Sequence, residues 1–139
     1  MFQARREELR GLRAFIEAFC AQAAMGRDAC LRLNLVLEEL FTNTLRHGHR
    51  GDSDAPVWVS LSGGQDRRVT VSYEDTARPF NPFPRKSPDT TQELHKLEGR
   101  GVLLLRTLSV KREYAYLFGR NRIRVVLDAG GEAGARGRV

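Results

Sequence analysis

The stretch from residue 38 to residue 48 (Glu-Glu-Leu-Phe-Thr-Asn-Thr-Leu-Arg-His-Gly) constrains the fold most, because polar residues recur in it at helical spacing inside an apolar run. At about 100° per residue, the apolar residues of this region fall on one half of a helix. They are Ala29, Cys30, Leu33, Val36, Leu37, Leu40, Phe41 and Leu45. Along one border of this apolar arc lie Arg32, Glu39, Asn43 and His47, the last three at steps of four. Residues at this spacing form one stripe, so we expect Glu39, Asn43 and His47 to lie together.

A carboxylate and a carboxamide at the edge of a buried face need polar partners, because burying them without partners is costly. In one interpretation Glu39 and Asn43 bond each other, a neighbouring loop or water. In the other they form a site, with Glu39 as a base and Asn43 as an oxygen ligand for Mg²⁺, which takes few protein ligands and relies on substrate phosphates. The second interpretation requires a phosphate-binding loop further along the chain.

Length and charge limit the function classes. The 139 residues, of which 41% are hydrophobic and 29% charged, are typical of one soluble domain with a substantial core. No apolar run approaches a membrane span and no signal-peptide pattern is present, so we expect a cytoplasmic protein without membrane association. The net charge is +6, but the basic residues are interleaved with acids. A solvated basic surface is therefore favoured, an acidic protein partner or a nucleotide also fits the charge, and no direct nucleic-acid binding is expected.

Local patterns predict the elements. Apolar spacings of three and four predict a first helix over residues 5–24, with Leu9, Leu12, Phe15, Ile16, Phe19 and Ala23 as its apolar stripe. Asp28 is expected to be the N-cap of the second helix. Residues 47–54 are rich in Gly, Asp and Ser, which predicts a loop. The residues Cys20 and Cys30 lack metal-ligand spacing and are expected to be reduced core residues.

Strand chemistry predicts an antiparallel hairpin of residues 56–61 and 68–74 with one face on the helices, and two final strands over 111–117 and 122–128. The turn between the final strands is expected around Gly119-Arg120-Asn121. The polar segment 85–98 is expected to be a mobile lid. The domain therefore spans residues 1–128, followed by a disordered tail over 129–139.

Two smaller patterns have alternative interpretations. His47 and His49 could ligate a metal, but no third ligand is evident and a polar helix end is favoured. Gly99-Arg100-Gly101 precedes an apolar helical stretch, where glycines and free helix N–H groups suit a phosphate. A simple turn is the alternative for this glycine pair.

Three separated stretches resemble one known family. Residues 39–48 (Glu-Leu-Phe-Thr-Asn-Thr-Leu-Arg-His-Gly) resemble the N box of the GHKL, or Bergerat-fold, ATPases and kinases. Residues 75–82 (Asp-Thr-Ala-Arg-Pro-Phe-Asn-Pro) resemble their Asp-x-Gly box, and residues 99–102 (Gly-Arg-Gly-Val) resemble their second glycine box. The short chain, the Pro-Phe-Asn-Pro sequence and the Glu-Gly-Arg-Gly-Val-Leu-Leu-Leu sequence resemble the anti-sigma-factor serine/threonine kinases of bacterial partner switching most. The resemblance covers roughly residues 9–128.

The resemblance implies a role for each motif. Asn43 would hold Mg²⁺ between the ATP phosphates, Glu39 would act as base, and Asp75 would accept from the adenine amino group. The phosphate-wrapping segment would be Gly99, Arg100, Gly101 and Val102. Arg78 or Arg100 could also touch phosphates, although a solvated position is favoured for each. The sequence departs from the family at Ala77, where the Asp-x-Gly glycine is replaced and the methyl group would lie near the adenine.

We therefore expect an α/β two-layer sandwich with a mixed, mainly antiparallel sheet, helices on one face, and ATP between the second helix and the sheet-side loops. The resemblance implies a Mg²⁺-ATP-dependent protein serine/threonine kinase that phosphorylates a STAS-domain anti-anti-sigma protein and sequesters a sigma factor, commonly as a homodimer. The main alternative is a non-catalytic switch that binds a sigma factor or a STAS protein, with nucleotide structural or absent. A detached ATP-binding domain of a histidine kinase ranks third, since no helix with a phosphoacceptor His is evident, and a nucleic-acid binder ranks last.

Overall fold

A computed structural model describes residues 1–64, 66–83 and 100–128, with only the backbone of residues 100–103. The predicted lid at 85–98, Gly99 and the predicted tail at 129–139 lie outside the described residues. The helices are α1 (Leu9–Gln22), α2 (Arg27–Asn43) and α3 (Arg100–Leu108), and the strands are β1 (Phe2–Gln3), β2 (Pro56–Gly63), β3 (Arg68–Asp75), β4 (Ser109–Leu117) and β5 (Arg120–Asp128). A short 3₁₀ turn, Arg6–Glu8, precedes α1.

The five strands form one sheet in the order β1-β2-β3-β5-β4, and the four pairings between them are antiparallel. Side chains alternate between buried and more exposed positions along β3 and β5, as expected for a sheet with one covered face. The covered face packs on the helices, and the core includes Leu12, Ile16, Leu33, Leu37, Phe41, Val71, Val125 and Leu127. The predicted two-layer α/β sandwich and both predicted hairpins are confirmed, but the described sheet is antiparallel rather than mixed, because each pair of neighbouring strands runs in opposite directions.

Helix boundaries differ from the sequence prediction in two places. The first α-helix is shorter than residues 5–24, because the chain before Leu9 forms the 3₁₀ turn. Gly26 rather than Asp28 is the N-cap of α2. Asp28 instead lies in the first turn, where a carboxylate favours the positive end of the helix dipole. Phe15, predicted in the apolar stripe, is 39% exposed and contacts the edge of the Phe2 ring.

The predicted loop at residues 47–54 is wrong over its first three residues. The helical path of α2 continues as a π-helical segment, Thr44–His49, and ends where Arg50 adopts a left-handed φ of 60°. A π-helical turn is wider than an α-helical one and is frequently found at functional sites. The described helices include none that is long and apolar enough to cross a membrane.

Cys20 and Cys30 are joined by a disulfide, so the prediction of two reduced cysteines is wrong. The helices α1 and α2 are neighbours connected by a short turn, which brings the two Cα atoms to 5.9 Å. That separation is within the range in which a disulfide forms. Burial alone could not predict the pairing, because small core cysteines show the same sequence pattern.

Candidate functional site

A small cavity lies where the end of α2 and the π-helical segment face β3 and β5. Its volume is about 10 Å³, which is space for about one water molecule. The lining combines apolar and polar side chains: Leu40, Asn43, Thr44, Gly48, Tyr73, Asp75, Ala77, Arg78, Phe80, Pro82, Asn121 and Ile123. Two of the sequence-predicted motifs, the one around Asn43 and the one around Asp75, therefore meet at this cavity.

Asp75 is the last residue of β3 and is only 5% exposed. Its Oδ2 accepts a hydrogen bond from the Thr44 hydroxyl at 2.6 Å. Its Oδ1 accepts from Asn121 Nδ2 at 2.8 Å and from the Ala77 N–H at 3.1 Å. Three donors thus satisfy a carboxylate that would otherwise be costly to bury, and they fix its orientation.

Tyr73 supports the same carboxylate indirectly, through the Thr44 hydroxyl. Its hydroxyl oxygen lies 2.6 Å from Thr44 Oγ1 and 3.2 Å from the Leu40 carbonyl oxygen. Because Thr44 donates its only hydroxyl proton to Asp75, the phenol can donate to Thr44. Burial raises the pKa of Tyr73 well above its ordinary value, so this phenol stays protonated and remains a donor. The chain Tyr73, Thr44, Asp75 therefore links the sheet to the π-helical segment.

Asn121 is the functional-site residue that the sequence prediction placed wrongly, in a turn. It lies in β5, directly opposite Asp75 in the register of β3 and β5, and is 2% exposed. Its Nδ2 also lies 3.1 and 3.0 Å from the carbonyl oxygens of Ala77 and Arg78, so its two N–H groups are shared among three acceptors. Its Oδ1 accepts from the Phe80 N–H at 3.0 Å and from the Tyr114 hydroxyl at 2.5 Å. One carboxamide thus holds the segment that follows β3 against the sheet.

Ala77 fills space that a neighbouring glycine leaves open. The residue is 3% exposed, and a Cβ built on Gly48 would lie 2.4 Å from the Ala77 Cβ. The methyl group of Ala77 therefore packs directly over the backbone of Gly48. Ala77 does not have a positive φ, so its backbone carries no left-handed strain.

Glu39 and Asn43 lie together, as the stripe predicted, and Arg46 connects them. Arg46 Nη2 lies 3.5 Å from Glu39 Oε2 and 3.4 Å from Asn43 Oδ1. The Glu39 side chain is 14% exposed and Asn43 is 7% exposed. Burial raises the pKa of Glu39 above its ordinary value, although the positive charges of Arg46 and His47 oppose this. A raised pKa makes this carboxylate a better proton acceptor than an ordinary glutamate.

The ring of His47 stacks on Phe80, with 4.8 Å between ring centroids and an angle of 11°. His47 also remains close enough to Glu39 for its charge to lower the Glu39 pKa. Among the residues that the structure describes, no three His, Cys, Asp or Glu side chains are grouped so as to hold a metal ion. A two-histidine metal site at His47 and His49 therefore gains no support. The single carboxamide of Asn43 is the one oxygen ligand that the sequence predicts for Mg²⁺, and this role stays a prediction.

The glycine motif is described only in part. Helix α3 begins at Arg100, so Arg100, Gly101 and Val102 form its first turn. Gly99, which precedes that turn, lies outside the described residues. The predicted phosphate contacts of these four residues stay predictions.

Comparison with known proteins gives one finding at the level of family. A family model described as a histidine kinase-like ATPase domain matches residues 2–127, which is nearly the whole chain. No curated protein matches the chain. The match covers the elements that carry Glu39, Asn43, Asp75 and Asn121.

Proposed function

The chain belongs to the histidine kinase-like ATPase domain family, and we propose that within this family it is an ATP-dependent serine/threonine protein kinase and anti-sigma factor. Its substrate would be a STAS-domain anti-anti-sigma protein, and its other partner a sigma factor. The observation that carries the proposal is the buried Asp75 carboxylate, which accepts three hydrogen bonds and lines one cavity together with Asn43. Glu39 lies one helical turn before Asn43, and Arg46 contacts both. A cytoplasmic homodimer is part of the same proposal.

The Asp75 carboxylate fits the recognition of adenine. Thr44 and Asn121 orient it, and apolar side chains such as Leu40 and Ile123 form the cavity wall. A fixed carboxylate in an apolar pocket accepts from an amino group and would reject a carbonyl oxygen at the same place. At about 10 Å³ the cavity holds no adenine ring, so the segment with Phe80 and Pro82 would have to move outward on binding.

Asn43 and Glu39 fit the phosphate end of the site. Asn43 is a hard oxygen ligand of the kind that Mg²⁺ accepts alongside phosphates and water, and Mg²⁺ would neutralise phosphate charge there. Arg46, which contacts both side chains, would balance charge beside them. Glu39 has a pKa raised by burial, so it can take a proton from a serine or threonine hydroxyl that is brought within hydrogen-bond reach.

A kinase assay tests this proposal with isosteric changes. The purified chain, labelled ATP and Mg²⁺ would be combined with each STAS-domain protein of the source organism in turn. Glu39→Gln should abolish phosphate transfer while preserving ATP binding, and Asp75→Asn should weaken ATP binding itself. Glu17→Gln, a change of the same kind on the exposed face of α1, should leave both unchanged. Transfer that survives Glu39→Gln would remove Glu39 from the role of base.

A second candidate, a binding switch without kinase activity, is favoured by one observation. The methyl group of Ala77 packs against Gly48 beside a cavity with space for one water. Thermal unfolding with and without Mg²⁺-ATP, combined with the kinase assay, separates the two candidates. At 100 times its dissociation constant a ligand adds about 2.7 kcal/mol to the free energy of unfolding. A shift that Asp75→Asn removes, together with phosphate transfer to a STAS protein, supports the kinase. A shift without phosphate transfer, or no shift at millimolar ATP, supports the binding switch.

A further inference from the structure

A larger cavity is lined in part by the π-helical segment, and one of its lining residues, Arg46, contacts Glu39. Its volume is about 460 Å³, and its lining is Arg6, Leu45, Arg46, Arg50, Gly51 and Asp52. Arginines therefore contribute half of the lining residues, and we call this opening the arginine cavity. We propose that the arginine cavity binds an acidic segment of the protein substrate and so brings the substrate hydroxyl to Glu39. This inference rests on the proposed kinase function.

The charge of the arginine cavity is what selects an acidic ligand. The one carboxylate in its lining, Asp52, already accepts the backbone N–H of Arg6 at 2.9 Å. Among the described residues, no carboxylate forms an ion pair with the side chain of Arg6 or Arg50. A guanidinium group that has no carboxylate partner can bind one through two parallel hydrogen bonds, and an acidic peptide supplies such carboxylates.

The wall of the arginine cavity is held by backbone hydrogen bonds, so it is a built surface. The N–H of Gly51 donates to the Leu45 carbonyl at 2.8 Å, and the N–H of Ser53 donates to the Ala4 carbonyl at 2.8 Å. Arg50 ends the π-helical segment with a φ of 60°, a conformation that favours Gly or Asn. An arginine in this conformation is strained, and a function for its side chain in the cavity is consistent with that strain.

Arg46 connects the arginine cavity to the chemistry. It lines the opening, and its Nη2 lies 3.5 Å from Glu39 Oε2. A peptide segment whose acidic side chains pair with Arg6 and Arg50 would therefore pass next to the proposed base. The volume lies in the range of sites that enclose a small ligand. The lining holds no aromatic ring on which a nucleic-acid base could stack, so an acidic protein segment fits better than a single strand.

A binding assay that does not depend on kinase activity tests the arginine cavity. The probe is a fluorescein-labelled ten-residue peptide of Asp and Glu with one central Ser, titrated with the chain and followed by anisotropy at low salt. The double variant Arg6→Glu/Arg50→Glu should weaken binding at least roughly tenfold. The control Arg68→Glu/Arg124→Glu changes the net charge equally on the exposed face of the sheet and should stay within about twofold.

The outcomes of this assay are distinct. Equal loss in both double variants means that only net charge matters, and this overturns the proposal, as does a wild-type chain that does not bind the peptide. The proposal is also overturned if Mg²⁺-ATP abolishes peptide binding and Arg6→Glu/Arg50→Glu loses affinity for ATP. Those two results together would make the arginine cavity a nucleotide phosphate site.

Kinase measurements then connect the arginine cavity to the substrate. With a STAS protein that the wild-type chain phosphorylates, Arg6→Glu/Arg50→Glu should raise KM for that protein roughly tenfold, with KM for ATP unchanged. An unchanged KM for the protein overturns the substrate role. If the wild-type chain phosphorylates no STAS protein while the peptide assay still shows selective loss, the proposed function fails and the acidic-segment site stands.

Discussion

Asn121 Nδ2 donates to Asp75 Oδ1 at 2.8 Å, across the β3–β5 pairing and with both side chains almost fully buried. This contact joins Asp75, which is expected to recognise adenine, to Asn121, which holds the segment after β3 against the sheet. The orientation of the carboxylate and the position of the cavity wall therefore depend on one carboxamide. Because that carboxamide uses both its nitrogen and its oxygen, a change at Asn121 affects several buried groups at once.

Asn121→Ala is expected to lower the free energy of unfolding by about 3 kcal/mol, because it leaves buried donors and acceptors without partners. Urea denaturation followed by circular dichroism measures this change. The control Arg124→Ala lies three residues along the same strand on its exposed side and should change stability by less than about 0.5 kcal/mol. Equal effects of the two changes would contradict the central position of Asn121.

Gly48 and Ala77 are expected to be energetically coupled. Gly48→Ala would bring two Cβ atoms to 2.4 Å and should lower the free energy of unfolding by about 1–3 kcal/mol. Ala77→Gly should remove that clash, so the double variant Gly48→Ala/Ala77→Gly should be more stable than the sum of the single changes by roughly 1 kcal/mol. Chemical denaturation of all four proteins completes the cycle.

The control for this cycle is Gly11→Ala. The new Cβ meets nothing closer than 3.7 Å, and alanine has a higher helix propensity than glycine. This change should not be destabilising. Additive effects of Gly48→Ala and Ala77→Gly would show that the loop after β3 moves away from Gly48 freely. In that case the methyl group of Ala77 would be no obstacle to opening the cavity.

The predictable part of the fold is the part that local pattern determines. Strand-type composition predicted β2 and the final hairpin, and alternation predicted β3, since a sheet with one covered face imposes a period of two. Asn121 was misplaced because Gly119-Arg120-Asn121 has turn-like composition. The turn instead consists of Phe118 and Gly119, with φ values of 53° and 76°, and this places Asn121 in the strand. The inward alternation of Asn121 with Ile123 and Val125 was the signal that could have found it.

In the candidate site, too, the features set by local pattern were predicted and those set by long-range contacts were not. Glu39 and Asn43 were predicted to lie together because both are on one helix, where spacing determines proximity. Thr44 was missed, because its bond to Asp75 spans 31 residues of sequence. The π-helical segment also could not be foreseen, since it depends on how the end of α2 packs against β3. Long-range hydrogen bonds and helix distortions are set by tertiary packing, which a single sequence does not display.

Reduction of the Cys20–Cys30 disulfide is expected to destabilise the chain. The bond closes a loop with a sequence separation of 10, for which chain entropy gives about 2–3 kcal/mol. Wild-type protein in dithiothreitol should therefore unfold at a lower urea concentration, and Cys20→Ala/Cys30→Ala should not respond to the reductant. Two free thiols in unreduced, denatured wild-type protein would contradict the bond itself.

Glu39 is expected to make stability depend on pH with a definite sign. Burial raises its pKa in the folded chain, so the folded state holds the proton more tightly than the unfolded state does. Its contribution to the free energy of unfolding is then fully present below the ordinary glutamate pKa and is lost as the pH rises through the raised value. The stability difference between wild type and Glu39→Gln should fall across that window. Arg46→Gln removes a charge that lowers the Glu39 pKa, so the fall should extend to higher pH. Urea titrations of all three proteins at a series of pH values measure these effects. If the stability difference between wild type and Glu39→Gln rises with pH, Arg46 rather than burial controls the ionisation of Glu39.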